Sequence, residues 1–334
     1  MTRPPIAVAG WGLAAVAAAV APLVATERQV YLLMSVLVLA VFATSFNVLL
    51  GYTGLVSFAH GAYYGVGAYT VALGALHLGL PPMAGVALAP FVTAVVAYVT
   101  GLIALRATRL YFALLTLALG QLIFLVTFQW RSLTRGDDGI HGVILPPALS
   151  APVPRYYALL ALAAIALVIL GLVMRSPFGA TLGAIRENRE RTGFLGIKVK
   201  RYELAAFTLG GAFAGYAGAM YVLVDRQAFP LLMHWTTSAQ PIFVTLIGGL
   251  SNFAGPAVGA VVFGLLRDYI IRNIEYWQAV LGLVLLLIIL FLPGGIVEGV
   301  QRLARLVAGR GGGPAAPPVA DTDREPAPAG RRTP

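Results

Sequence analysis

Long apolar segments recur along almost the whole chain, and their length restricts the fold more than any other feature. Runs of about 20 apolar residues match the length of helix that crosses the hydrocarbon core of a bilayer. Equally apolar strands are shorter and are bounded by polar turns. Charged residues make up only 11% of the sequence, whereas a soluble domain carries about 25%. The sequence therefore predicts an all-α polytopic membrane protein.

Ten hydrophobic segments are predicted. An apolar stretch between 240 and 270 is interrupted by the sequence GGLSNFAGP, and we interpret it as two short segments that meet near Ser251–Gly255. The first segment is longer than a secretory signal core, which favours a retained helix over a cleaved signal peptide. The continuous spans are 6–25, 30–50, 56–76, 83–105, 110–128, 156–174, 204–224 and 277–292.

Basic residues predict the orientation. The loop 175–203 carries seven lysines and arginines, and such residues accumulate on the cytoplasmic side of membrane proteins. Counting spans in both directions from this loop places both termini in the cytoplasm and the loop 129–155 outside. We expect one transmembrane domain over 1–300. The tail 301–334 is rich in Pro, Ala and Gly and is expected to be disordered and cytoplasmic.

The stretch GYTGLVSFAHGAYYGVGAY, Gly51 to Tyr69, interrupts the apolar pattern. Glycines let the backbone turn or unwind, and unwound backbone at membrane depth occurs only against protein or a watery cavity. We therefore predict a discontinuous segment on a translocation path. The alternative is tight helix packing through the small-residue pattern Gly61-x-x-x-Gly65. The polar candidates for the path are Asn47, Ser57, His60, Tyr63 and Tyr64.

A similar interruption occurs at Gly248–Gly259, where Ser251 and Asn252 break the apolar run. Its sequence loosely echoes the first stretch, which leaves an internal repeat as a hypothesis, and transporters often place such broken segments near the substrate. A third small-residue region, Phe207–Tyr221, is interpreted instead as a face that packs closely against another helix.

The loop 175–203 is longer than a connector between two spans requires. Ser176 and Pro177 suit the start of a helix, which Gly193 and Gly196 are expected to break. Alternating acidic and basic residues follow the apolar face of this short helix. This order favours docking to a soluble partner over anchoring to anionic lipid.

Several function classes are excluded or disfavoured. The chain has no cysteine, so disulfides and thiolate chemistry are impossible. It has no G-x-x-x-x-G-K-[ST] phosphate loop, and no cofactor or metal is predicted. No acidic residue lies at the centre of a predicted span, which argues against an ion-coupled secondary transporter. An intramembrane enzyme would need an oriented catalytic group, and none is visible.

Three motifs resemble the permeases of branched-chain amino acid ABC transporters: GLVSFAHGAYYGVGAY, then GAIRENRERTGFLGIKVKRYELAAFTLGGAFAGYAGAMY, then VTLIGGLSNFAGPAVGA. The resemblance extends from about residue 30 to about residue 300. The form of RENRERTGFLGI and the closing FLPGGIVEGVQR resemble the LivM-type subunit rather than its LivH-type partner. The chain departs from several relatives by Ala59 and Asn252, where they have glycine.

The resemblance implies a non-catalytic bacterial inner-membrane permease that pairs with a second, related permease. It also implies two cytoplasmic ABC ATPases and a periplasmic or lipid-anchored binding protein. Substrates would be branched-chain or related amino acids, with urea or short amides as the alternative. The residues that the resemblance places in the loop contacting an ATPase are Ala184, Arg186, Glu187, Asn188 and Gly196.

Overall fold

Helices of membrane-spanning length dominate the computed structural model, which describes residues 18–250, 252–291 and 294–299. The main helices are α1 (Glu27–Thr53), α2 (His60–Leu78), α3 (Pro82–Ala104), α4 (Arg109–Gln129), α5 (Pro152–Arg175), α6 (Pro177–Glu187), α7 (Arg189–Phe194), α8 (Val199–Asp225), α9 (Trp235–Gly248), α10 (Gly255–Asn273) and α11 (Trp277–Phe291). Every predicted span from 30–50 onward corresponds to one of these helices. The predicted tail and residues 6–17 of the first span lie outside the described residues.

Five of the described helices are long and apolar enough to cross a membrane: α1, α3, α4 from Leu110, α5 and α8. In α1 and α8, 72% of the most apolar window is buried inside the bundle, against 28–33% in α3, α4 and α5. α1 and α8 therefore form the centre, while the other three lie at the periphery with large apolar side chains exposed. This distribution is that of a polytopic all-α membrane protein, because lipid contacts the exposed apolar faces.

The bundle has two ends, which we call the sheet end and the loop end. At the sheet end, β1 (Ile140–His141) pairs antiparallel with β2 (Gln227–Ala228). Short helical turns surround this pair over Arg131–Thr134, Gly136–Asp138, Pro147–Leu149 and Pro230–Met233. The loop end carries α6 and α7. Because α5 runs from the sheet end to the loop end and α8 returns, the segments 129–155 and 175–203 lie at opposite ends, as predicted.

The small-residue region of α8 is a packing face, as its sequence indicated. A Cβ atom at Gly218 would overlap the backbone of Tyr64 on α2, and one at Gly67 would overlap the backbone of Gly215. On the same face of α8, Gly211 contacts Ala97 of α3 as well as Tyr63 of α2. These glycines allow α2 and α8 to approach until their backbones touch, in the way that small residues do between membrane helices.

The predicted interruption near Ser251–Gly255 is confirmed as a break between helices: α9 ends at Gly248 and α10 begins at Gly255. The break lies at the loop end, where Leu250 approaches Gly51 near the end of α1. α10 then returns to the sheet end, where Asp268 reaches Arg28 at the start of α1, with 2.9 Å between Asp268 Oδ1 and the guanidinium.

Candidate functional site

The backbone between α1 and α2 unwinds inside the bundle. Gly54 adopts the left-handed conformation, with φ of 74°, and ends α1, and residues 54–59 are not helical. Polar side chains satisfy the freed backbone: Thr116 Oγ1 accepts from the Phe58 N–H at 3.1 Å. The Ser57 hydroxyl, itself fully buried, accepts from the Ala59 N–H at 3.3 Å. The predicted discontinuity is therefore present at 54–59.

A second irregular segment meets the first one. Residues 229–234 turn inward from the sheet end before α9 begins, and Ser238 on α9 bridges the two segments. Its hydroxyl donates to the Phe58 carbonyl at 2.7 Å and accepts from the Gly61 N–H at 2.8 Å. Gly65 contacts Met233. The pattern Gly61-x-x-x-Gly65 is thus used to pack this second segment, and sequence reasoning missed Ser238.

His60 begins α2 and is completely buried. The Ser45 hydroxyl donates to the Phe42 carbonyl at 2.7 Å and lies 2.9 Å from His60 Nε2. Because that hydroxyl has a single proton, Nε2 carries a hydrogen and donates to Ser45. The rings of Phe42 and Phe46 enclose the imidazole at centroid distances of 5.4 and 5.2 Å.

Asn47 is buried, and neither atom of its amide has a hydrogen-bond partner among the described residues. It points along α1 toward Gly51, where a Cβ atom would overlap the amide oxygen. Asn252, in contrast, builds the break between α9 and α10. Its side-chain oxygen accepts from the Ala254 N–H at 3.0 Å and its carbonyl accepts from the Gly255 N–H at 2.9 Å. Ser251 lies outside the described residues.

A cavity of about 470 Å³ extends from the sheet end toward the centre, between α1, α8, α9 and α10. Tyr64 forms part of its inner wall, beside Phe42 at a centroid distance of 4.6 Å. Tyr63 does not line this cavity. Its ring packs on Phe207 at 5.8 Å and its hydroxyl lies 2.6 Å from Thr100 Oγ1. The two neighbouring tyrosines therefore have different surroundings, one on the cavity and one within helix packing.

At the loop end, Ser176 caps α6 as predicted, and its hydroxyl accepts from the Phe178 N–H at 3.2 Å. Leu182 and Ile185 are buried against the bundle. The Arg186 guanidinium donates a hydrogen bond to the Gly51 carbonyl at the end of α1. Ala184, Glu187 and Asn188 are exposed on the outer side. The inward face thus fixes the helix to the permease, and the outward face is free for another molecule.

The expected helix break at Gly193 is wrong. The helix breaks at Asn188, which has extended backbone and whose side-chain oxygen accepts from the Arg191 N–H at 2.9 Å. Asparagine competes with helical hydrogen bonding in this way and caps a following helix well. α7 then includes Gly193 and ends at Phe194, and Gly196 adopts φ of 81° as expected for a tight return.

Two features of this end were not recognised from the sequence. Phe194 and Leu195 are 90% and 76% exposed, which makes them the apolar tip of the loop. Leu182 and Ile185, which the apolar pattern identified, face inward. An exposed apolar tip between two glycines could have been found by treating Phe194 and Leu195 as a separate pair.

Comparison with known protein families identifies the family to which this membrane protein belongs. The family model described as "Branched-chain amino acid transport system / permease component" matches residues 29–289. The chain belongs to this family. The permease is 25% identical to the high-affinity branched-chain amino acid transport system permease protein LivM of Salmonella typhimurium over 317 residues, which cover 87% of this chain and 73% of the relative.

Further relatives of this permease include both named types. It is 25% identical to LivH of Escherichia coli K12 over 283 residues, covering 77% of this chain and 90% of the relative. A probable LivM of Methanocaldococcus jannaschii is 28% identical over 143 residues, covering 37% of this chain and 41% of the relative. No solved structure matches the chain. The permease is therefore a multi-pass transport protein.

Proposed function

We propose that this chain is the permease subunit of an ATP-binding cassette importer that carries branched-chain or related amino acids across a bacterial inner membrane. The observation that carries the proposal is the family match over residues 29–289. The proposed assembly contains a second related permease, two cytoplasmic ATPases and an external binding protein. Both termini and the loop end would face the cytoplasm, because seven basic residues of 175–203 lie there.

The translocation path would pass the two irregular segments that Ser238 joins. Unwound backbone inside a membrane bundle is tolerated where it meets protein or a watery cavity. The path residues that we retain are Asn47, Ser57, His60, Tyr64, Ser251 and Asn252, whereas Tyr63 would support the path by packing against Phe207. Of the described ones, Tyr64 lies on the cavity wall, so it is the residue that we expect to meet substrate most directly. Alternating access would open the bundle toward each end in turn.

The ATPase would dock on the loop end. Exposed Phe194 and Leu195 supply apolar contact area, while Arg186 and Glu187 of α6 supply charge complementarity. Arg186 links this surface to α1 through Gly51, and Gly51 in turn contacts the break between α9 and α10. Movement of the ATPase would thus be transmitted through α6 to α1 and to the break between α9 and α10. Ala184, Asn188 and Gly196 shape the same loop.

Two measurements test the proposal. Affinity purification of the tagged permease should retain a second permease and two ATPase subunits. Uptake of labelled leucine, measured with the cognate binding protein, should be inhibited by unlabelled leucine or phenylalanine and not by urea. Uptake of labelled urea without uptake of labelled leucine would favour a short-amide importer, and leucine uptake that persists without ATPases would favour ion-coupled transport.

A further inference from the structure

The cavity at the sheet end carries two opposite charges that have no ion-pair partner among the described residues, although the Tyr221 hydroxyl hydrogen-bonds to one of them, Asp225. Asp225, the last residue of α8, and Arg267 of α10 both line it, and among the described residues neither takes part in an ion pair. The third charged lining residue, Asp268, is neutralised by Arg28 and Arg272 at 2.9 and 2.8 Å. The cavity therefore presents one available carboxylate and one available guanidinium.

Both charges converge on the same two aromatic hydroxyls. Asp225 and Arg267 each act electrostatically on Tyr64 and Tyr221, whose rings are 5.9 Å apart. An unpaired acid and an unpaired base across one cavity leave room for a ligand that carries both complementary charges.

The rest of the wall is mixed: three uncharged polar residues, Ser35, Thr237 and Gln240, lie among aliphatic and aromatic ones. Val38, Leu39 and Phe42 of α1 face Phe263 of α10 across the cavity. The volume of about 470 Å³ falls in the usual range for small-molecule sites, about 300–1,000 Å³. A pair of opposite charges beside apolar side chains matches a molecule with a charged head and an aliphatic side chain.

We infer that this cavity is a subsite for a zwitterionic α-amino acid with an apolar side chain. Arg267 binds the α-carboxylate, Asp225 binds the α-ammonium, and the aliphatic part lies against Leu39, Phe42 and Phe263. Tyr64 and Tyr221 fill the space between the two charges and offer hydroxyls to the head group. The inference rests on the proposed function and assigns to this subunit a selectivity of its own, in addition to that of the binding protein.

The absence of cysteine from the sequence permits a direct test. Ser35 lines the cavity, so Ser35→Cys in the assembled importer should react with a membrane-impermeant thiol reagent added from the sheet end. L-leucine should slow that reaction, while 4-methylpentanoate, which lacks the ammonium, and 3-methylbutylamine, which lacks the carboxylate, should protect only weakly. Ser150→Cys, exposed at the same end, is the control whose labelling leucine should not change.

Charge variants then assign the roles. Adding Arg267→Gln or Asp225→Asn to Ser35→Cys should raise the leucine concentration for half-protection about tenfold or more, because each removes a charge-assisted hydrogen bond. The weak protection by the amine should survive Arg267→Gln, and that by the carboxylate should survive Asp225→Asn. Arg131→Gln removes the same charge from an exposed residue at the sheet end that does not line the cavity, and it should leave half-protection near wild type.

Three outcomes would overturn the inference while leaving the proposed function intact. Leucine uptake without leucine protection of Ser35→Cys would show that the cavity is not a subsite. Failure of Ser35→Cys to react in the assembled importer would show that another subunit covers the cavity. Equal protection in the charge variants would exclude recognition of the zwitterion. If the wild-type importer takes up no amino acid at all, the proposed function itself fails.

Discussion

At the scale of single residues, Tyr63 and Tyr64 have different surroundings because consecutive helix positions point about 100° apart. Tyr64 lies on the cavity wall, and Tyr63 is buried between α2, α3 and α8. We predict that Tyr64→Ala alters leucine uptake and leaves assembly with the ATPases intact. Tyr63→Ala should instead lower the stability of the permease by about 3–5 kcal/mol, because it leaves a large cavity in packed protein.

Uptake in proteoliposomes and thermal unfolding of the purified permease pair measure the two effects. Tyr63→Phe is the matched control, because it removes only the bond to Thr100. The Thr100 hydroxyl keeps the Val96 carbonyl as acceptor at 2.8 Å. Normal uptake in Tyr64→Ala, together with normal stability in Tyr63→Ala, would contradict the assignment of both residues.

At the scale of helices, the α2–α8 contact depends on glycine. We predict that Gly218→Ala strongly destabilises the permease, since its methyl group would overlap the Tyr64 backbone, and overpacking costs about 1–3 kcal/mol or more. Gly183→Ala on α6 is the matched control, because nothing lies within 4 Å of that position. It should be neutral or slightly stabilising. Equal unfolding temperatures for the two variants would argue against close backbone contact.

The helix α6 is the second element that we expect to matter. Exchanging two charges in Arg186→Glu with Glu187→Arg keeps the net charge, so insertion and pairing with the sister permease should persist. The exchange removes the hydrogen bond to Gly51 and places a carboxylate against the negative end of the α1 dipole. We predict that hydrolysis stimulated by loaded binding protein falls about tenfold or more, since a charge-assisted bond is lost.

The exchange Glu190→Arg with Arg191→Glu on α7 is the matched control. It also preserves the net charge, and both side chains are exposed. If the two double variants retain the same stimulated hydrolysis and the same copurified ATPase, Arg186 does not couple the subunits. The basic residues of the loop would then be better interpreted as lipid anchors.

At the scale of the whole molecule, the two ends of the bundle differ in charge and predict its orientation. Single cysteines can report that orientation, because the chain has none of its own. In intact cells, we predict that an impermeant maleimide labels Ser150→Cys at the sheet end and reaches Glu190→Cys at the loop end only after permeabilisation. The reverse pattern would mean that the basic loop faces outward and that the predicted cytoplasmic tail is misplaced.

Periodicity and composition alone determined the all-α membrane architecture, because about 20 apolar residues without charge have few other stable environments than a bilayer. The local glycines were likewise sufficient to predict the unwinding at Gly54 and the break between Gly248 and Gly255. The cap at Ser176 followed from its side chain and from the proline after it. These features depend on residues close together in the chain, so the sequence is sufficient to find them.

Only the tertiary structure decided what each polar residue contacts. Asp225 and Arg267 are 42 positions apart, and only the packing of α8 and α10 brings both to one cavity. Ser238 joins two segments nearly 180 residues apart, and Arg186 reaches a carbonyl 135 residues away. Such contacts depend on which faces of the helices pack against each other. The sequence of one helix does not determine which face of another helix it will contact.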